Sequence, residues 1–213
     1  MIETRLSPQT IDRLIQYRKV LIGYEYTVNP YVFSHHLARA VHTKPATVRR
    51  DLMLAGATGD VKQGYEVNSL IASINQILDE AGKPKVCFVG GFSLEHLVIE
   101  QLERSMSGLS VVAHFYFDTP TAQSVTIPSF PLTELPSKVK QLGISLCVLA
   151  VSHDYANDIA RIVVESGIRA ILNFTSARLQ LPKHVVVEDY DMASRLELLS
   201  WQVSQQALSN NST

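Results

Sequence analysis

A chain of 213 residues, 46% of them hydrophobic, is long enough for one large domain or two small ones, and its apolar content excludes wholesale disorder. No apolar run reaches the roughly 18 residues of a membrane span, and the opening MIETRLSPQT is laid out as neither a signal nor a transit peptide, so a cytoplasmic protein with no membrane partner is expected. The net charge of −1 is uneven: residues 1–62 hold nine Lys/Arg against five Asp/Glu, whereas 63–213 hold ten against fifteen. A basic head on an acidic body suits a polyanionic ligand at one end.

In chain order, Ser7-Pro8 predicts a helix start, with a capping hydroxyl and a proline at the first helical position. Ile11, Leu14, Ile15, Arg18 and Leu21 follow helical spacing, and the apolar ones form a core stripe until TVNPY breaks the pattern. Ser34 is expected to cap a short helix with Leu37, Ala38 and Val41 inward. A turn at His42-Thr43-Lys44 leads into PATVRRDLML, which starts on another first-turn proline, Pro45. Gly56, Gly59 and Gly64 punctuate a loop or small hairpin before the amphipathic VNSLIASINQIL. Two short helices about a tight turn, then a Gly-rich hairpin, outline a winged helix-turn-helix.

After Gly82-Lys83-Pro84, short apolar runs alternate with helical stretches: VCFVG, LSVVAHFYF, LCVLAV, AILNF and HVVV, with SLEHLVIEQLERS and YANDIARIVVES between. Strands without polar interruption predict a parallel sheet covered on both faces. Gly90 follows the first such strand and precedes a helix, which is where a Rossmann domain places a nucleotide. Cys87 and Cys147 lie in these apolar runs and read as two reduced core thiols, a redox pair being the alternative. The closing helix carries Met192, Leu196, Leu199 and Val203 at i, i+4, i+7 and i+11, with Trp201 on a neighbouring face.

Candidate chemistry gathers on the predicted reading helix. Thr47 and Arg50 are i, i+3 neighbours that share an outward polar face with Lys44, while Arg49 lies to the side, where phosphates run. Lys62 in the hairpin is a further basic candidate. His35 and His36 are adjacent, so they cannot form the i, i+4 ligand pair of a helical metal site, and none is expected.

TIDRL (Thr10 to Leu14), PATVRRDL (Pro45 to Leu52), Gly56 and Gly59 followed by GYEV, ESGIRAILNF (Glu165 to Phe174), Arg178-Leu179, VVVEDYDMA and LLSW stand in one order and spacing. That set resembles the Rex family of bacterial redox-sensing transcriptional repressors over about residues 7–201. The resemblance implies an α/β protein with an N-terminal winged helix-turn-helix domain at 1–80. A Rossmann-like doubly wound parallel sheet follows at 84–190, then a C-terminal helix at 191–208 that crosses to the partner subunit. It implies a homodimer that binds palindromic operator DNA and releases it when NADH displaces NAD⁺. It places Arg49 and Arg50 on the DNA contacts and Arg13 and Asp191 on residues coupling sensor to head. Ala150, Val151, Asn173 and Phe174 fall on segments lining the nicotinamide end.

Departures from the family pattern gather at the cofactor loop. The G-x-G-x-x-G of the family reads Gly90-Gly91-Phe92-Ser93-Leu94-Glu95 here. Phe92 adds bulk where backbone must approach a pyrophosphate, and Glu95 competes with phosphate for the positive end of the following helix. Tyr116 stands where the family has an acidic residue for the ribose hydroxyls, and Asp118 lies two positions on. The hairpin reads Asp60-Val61-Lys62 where the family tends to be basic and glycine-rich, so weaker minor-groove contact is expected. Weak or absent NAD(H) binding follows. Two other readings are a DNA-binding homodimer with a different effector or none, and a Rossmann-fold oxidoreductase. Against the enzyme, Ser152-His153-Asp154 is a triad in letters only, because consecutive residues cannot hand a proton along in that order of contact.

Overall fold

The structure is a computed structural model that describes residues 6–24, 30–79, 82–91, 95–105, 107–117 and 127–210. It divides into two units, Met1–Lys83 with Arg104–Gly108, and Pro84–Glu103 with Leu109–Thr213.

In the first unit, helix α1 (Pro8–Tyr24) begins as expected, the Thr10 amide donating to Ser7 Oγ at 3.2 Å. Leu14, Tyr17 and Leu21 point inward, and Arg18 is buried among them with Nη1 donating to Asn75 Oδ1 at 3.0 Å. After strand β1 (Tyr31–Val32) comes α2 (Ser34–Ala40), whose cap is Phe33 rather than Ser34. Ser34 sits one position inside the helix, and its hydroxyl accepts from Arg49 Nη1 at 3.3 Å. His42, at φ 53, makes the left-handed turn into α3 (Pro45–Leu54), which starts on the proline with Lys44 as cap.

Strand β2 (Tyr65–Glu66) pairs antiparallel with β1 and leads into α4 (Val67–Asp79), where the Glu66 carboxylate accepts the Asn68 and Ser69 amides at 3.1 and 2.6 Å. Those bonds hold the Glu66 carboxyl below its usual value. The core of this unit joins Leu14, Tyr17, Leu21, Val32, Leu37, Val48, Leu52, Leu70 and Ile74.

The second unit holds a six-stranded sheet in the order β5-β4-β3-β6-β7-β8, parallel at every pairing. The strands are β3 (Lys85–Gly90), β4 (Ser110–Tyr116), β5 (Ser129–Pro131), β6 (Ile144–Ala150), β7 (Ala170–Asn173) and β8 (Val186–Asp189). Helices α5 (Glu95–Arg104), α6 (Leu135–Leu142) and α7 (His153–Glu165) make the crossovers. The order runs outward in both directions from β3, the doubly wound pattern that leaves a crevice at the carboxyl end of β3.

Side chains along β3 alternate between two cores. Cys87 and Val89 join the larger one with Phe115, Leu149 and Ile171, and Val86 and Phe88 join the other with Val148, so both faces are covered as the uninterrupted apolar runs predict. Cys87 and Cys147 are buried free thiols directly opposite each other on β3 and β6. Burial raises the Cys147 thiol well above its ordinary value, which keeps it protonated. Among the described residues no helix is long and apolar enough to cross a membrane.

Helix α8 (Met192–Asn210) is capped by Asp191, which accepts the Ser194 amide at 3.2 Å and its hydroxyl at 2.6 Å; these bonds pull the Asp191 carboxyl below its usual value. Met192, Leu196, Leu199, Trp201 and Val203 are all more than half exposed.

Candidate nucleic-acid interface and sensor crevice

Burial fixes how α3 is turned. Val48, Asp51, Leu52 and Ala55 point inward, so at 100° per residue Ala46, Arg50 and Met53 project outward, with Arg49 on one flank. Thr47 and Lys44, read in sequence as sharing an outward polar face with Arg50, lie to the side of that line. Thr47 is half-buried and lines a cleft of about 400 Å³ with Leu6, Ser7, Thr10, Arg13, Arg50, Asp51 and Leu54, and Lys44 is exposed at the helix cap. Arg49 and Arg50 are both exposed.

The helix is held by an acidic group that sequence reasoning passes over. Asp51, 3% exposed at its side chain, accepts both Arg13 Nε at 2.6 Å and Arg13 Nη2 at 2.8 Å, a bidentate pair. Tyr17 Oη donates to the same carboxylate at 2.9 Å, and Arg13 Nη2 also reaches Thr10 Oγ1 at 3.2 Å. The hydrogen bond to Asp51 raises the Arg13 pKa further, while burial and then the bond to Asp51 raise that of Tyr17. Arg13 and Asp191, each expected by resemblance to couple sensor and head, make bonds within their own units, to Asp51 and Ser194.

In the hairpin, Asp60 and Gly64 exchange backbone hydrogen bonds at 2.8 Å, and Asp60 Oδ1 folds back onto the amides of Lys62 and Gln63 at 2.7 and 2.9 Å. The acidic residue is a turn former, and Val61, 97% exposed, and Lys62 occupy the tip.

At the carboxyl edge of the sheet, Gly90 has φ +127, and a Cβ on it would lie 2.1 Å from the Ala150 carbonyl oxygen, so glycine is required there by the neighbouring strand itself. The Gly91 amide donates to that same oxygen at 3.1 Å, and His114 Nε2 lies 2.8 Å from the Gly90 carbonyl oxygen. The Phe117 and Tyr155 rings, about half exposed, meet at 5.1 Å; one follows β4 and the other lies in the first turn of α7 after β6, the two strands that flank β3. Tyr116 is half-buried at the end of β4.

The Asn173 amide is fully engaged. It donates to Asp189 Oδ1 at 2.7 Å and the Ala177 carbonyl at 3.0 Å, and accepts from the Thr175 amide and hydroxyl at 3.0 and 2.7 Å. The Phe174 and Tyr190 rings meet at 4.9 Å in a tilted arrangement, and Val151 is half-buried beside Gly90. Glu95 is the first residue of α5; its side chain, and Phe92, Ser93, Leu94 and Asp118, lie outside the described residues. Gly90 keeps the dinucleotide pattern, the end of β4 carries Tyr116 in place of a carboxylate, and the Asn173 side-chain amide is fully engaged by its neighbours. At Tyr116 the described residues depart from the acidic residue that a Rossmann domain places against the ribose hydroxyls. His153 Nδ1 lies 3.3 Å from Ser176 Oγ rather than against Ser152 or Asp154, and no metal-holding cluster occurs among the described residues.

A family model described as "Putative DNA-binding protein N-terminus" matches residues 5–52. Among curated proteins, "Redox-sensing transcriptional repressor Rex 2" of Thermotoga maritima is 31% identical over 195 residues, covering 90% of this chain and 93% of the relative. "Redox-sensing transcriptional repressor Rex" of Ligilactobacillus salivarius is 30% identical over 202 residues, covering 93% of this chain and 94% of the relative. Among solved structures, a Rex-family repressor, RSP, superposes with a TM-score of 0.81 at 21% identity over 98% of this chain and all of its own. RSP in complex with NAD⁺ and operator DNA gives 0.80 at 21% identity, covering 98% and 97%. At that identity the likeness is one of fold.

Proposed function

The chain belongs to the Rex family of redox-sensing transcriptional repressors, and from that premise we propose that it binds palindromic operator DNA as a homodimer through α3 and represses transcription without catalysing a reaction. One observation carries this reading. A short helix with Arg49 and Arg50 exposed is clamped from behind by the bidentate Arg13–Asp51 pair, so its basic outer face is presented on a rigid support. Arg50 takes the base contact, Arg49 and Lys44 flank it toward phosphates, and Lys62 serves at the hairpin tip. Half-exposed apolar residues along α8 supply the surface for a second copy.

The effector is the family's NAD(H) only at low affinity, because the chain departs from the dinucleotide pattern at the pyrophosphate loop, in Phe92 and Glu95, and at the ribose end, in Tyr116. Selection of duplexes from a random pool tests the DNA reading. A palindrome should emerge; Arg50→Ala should relax its sequence preference by about 1–3 kcal/mol, and Arg49→Ala should flatten the salt dependence by about 0.9. Recovery of no palindrome counts against the reading. Calorimetry tests the effector: NADH affinity in the low micromolar range overturns the expectation of weak binding.

A further inference from the structure

Met53 is 67% exposed on a helix whose opposite side is closely packed. With Ala46 and Arg50 it forms the outermost line of α3, and Arg50 and Met53 are three residues apart, about 4.5 Å along the axis. Ala46 lies one turn on the other side of Arg50. Polar or basic side chains would serve on a face that only tracks phosphate; here a guanidinium is flanked above and below by apolar groups.

The apolar group a base edge displays in the major groove is the thymine C5-methyl. Adjacent base pairs are about 3.4 Å apart, so with α3 running along the groove an apolar group about 4.5 Å from Arg50 along its axis meets a neighbouring base pair rather than the one Arg50 reads. A methionine thioether, unbranched and polarisable, adapts to such a contact. We propose that Met53, with Ala46 on the far side, reads thymine methyl groups flanking the guanine taken by Arg50, so that this repressor selects operators with thymine beside that guanine. The inference rests on the reading that α3 enters the major groove, and its partner is duplex DNA.

The test uses the full chain and the operator recovered by selection. Each thymine in turn is replaced by deoxyuridine, which removes the methyl and keeps every hydrogen-bonding group, and affinity is followed by fluorescence anisotropy. At one position per half-site the replacement should weaken binding about fourfold, the worth of one buried methyl group. Met53→Ala should bind the thymine and uracil duplexes equally, and Met53→Leu should keep the difference. Ala46→Gly should abolish a second, smaller difference on the other side of the guanine. A wild-type protein indifferent to uracil at every position overturns the proposal while leaving the DNA reading intact, and needs no variant to fold. Equal uracil sensitivity in wild type and Met53→Ala also overturns it. Failure to select any duplex removes the DNA reading itself.

Discussion

Asp51 receives three hydrogen bonds from Arg13 and Tyr17 in a place nearly closed to water. Replacing it with Asn removes the charge that Arg13 balances and turns one acceptor into a donor facing other donors. Breaking a buried pair from one side costs about 3–5 kcal/mol, and since the Arg13 side chain keeps 27% of its surface exposed, about 2–3 kcal/mol is expected for Asp51→Asn in urea unfolding. Tyr17 gives the pH dependence. Its folded pKa is raised, so its contribution is complete below the ordinary tyrosine value near pH 10 and is lost as the pH rises above that, where the unfolded chain ionises first. The urea midpoint of the wild type should therefore fall more steeply above about pH 10 than that of Tyr17→Phe, with the two curves parallel below. None of this network is legible in the sequence. It joins positions 34 and 38 residues apart, and only the packing of α1 on α3 brings them together.

Among elements, legibility followed length and apolar continuity. Strands β3, β4 and β6 and helices α1, α3, α4, α7 and α8 stand out because each carries a run or stripe long enough to define a period. Strand β5 has three residues ending in a proline at the sheet edge, and α6 has eight, so neither offers a pattern to read. The hairpin shows the other kind of gap. Asp60 reads in sequence as a misplaced charge, and in the fold it is the residue that ties the turn. Asn makes the same turn without the charge, so Asp60→Asn should keep the hairpin and tighten DNA binding about two- to fivefold at low salt, an advantage that salt erases. Asp60→Ala loses the turn and should gain less. Equal gains by anisotropy from both variants would show that the turn contributes nothing. The glycine at the end of β3 was legible in the sequence, whereas the engagement of Asn173 depends on a loop closing on itself.

For the molecule as a whole, the exposed apolar stripe of α8 is a surface that a second copy would cover. Deleting residues 192–213 should give monomers or aggregates by light scattering; a soluble, stable dimer after that deletion would place the interface elsewhere. A basic head and an acidic body also divide labour: the head meets phosphate while the body repels it, which favours one orientation on DNA. The stripe has a quantitative consequence for gene control. A palindrome needs two heads, and if α8 is what joins them, then at concentrations below the dimer's dissociation constant operator occupancy rises with the square of the protein concentration rather than in proportion to it. A twofold change in synthesis then changes occupancy about fourfold, so the repressor responds to its own dosage as a threshold device.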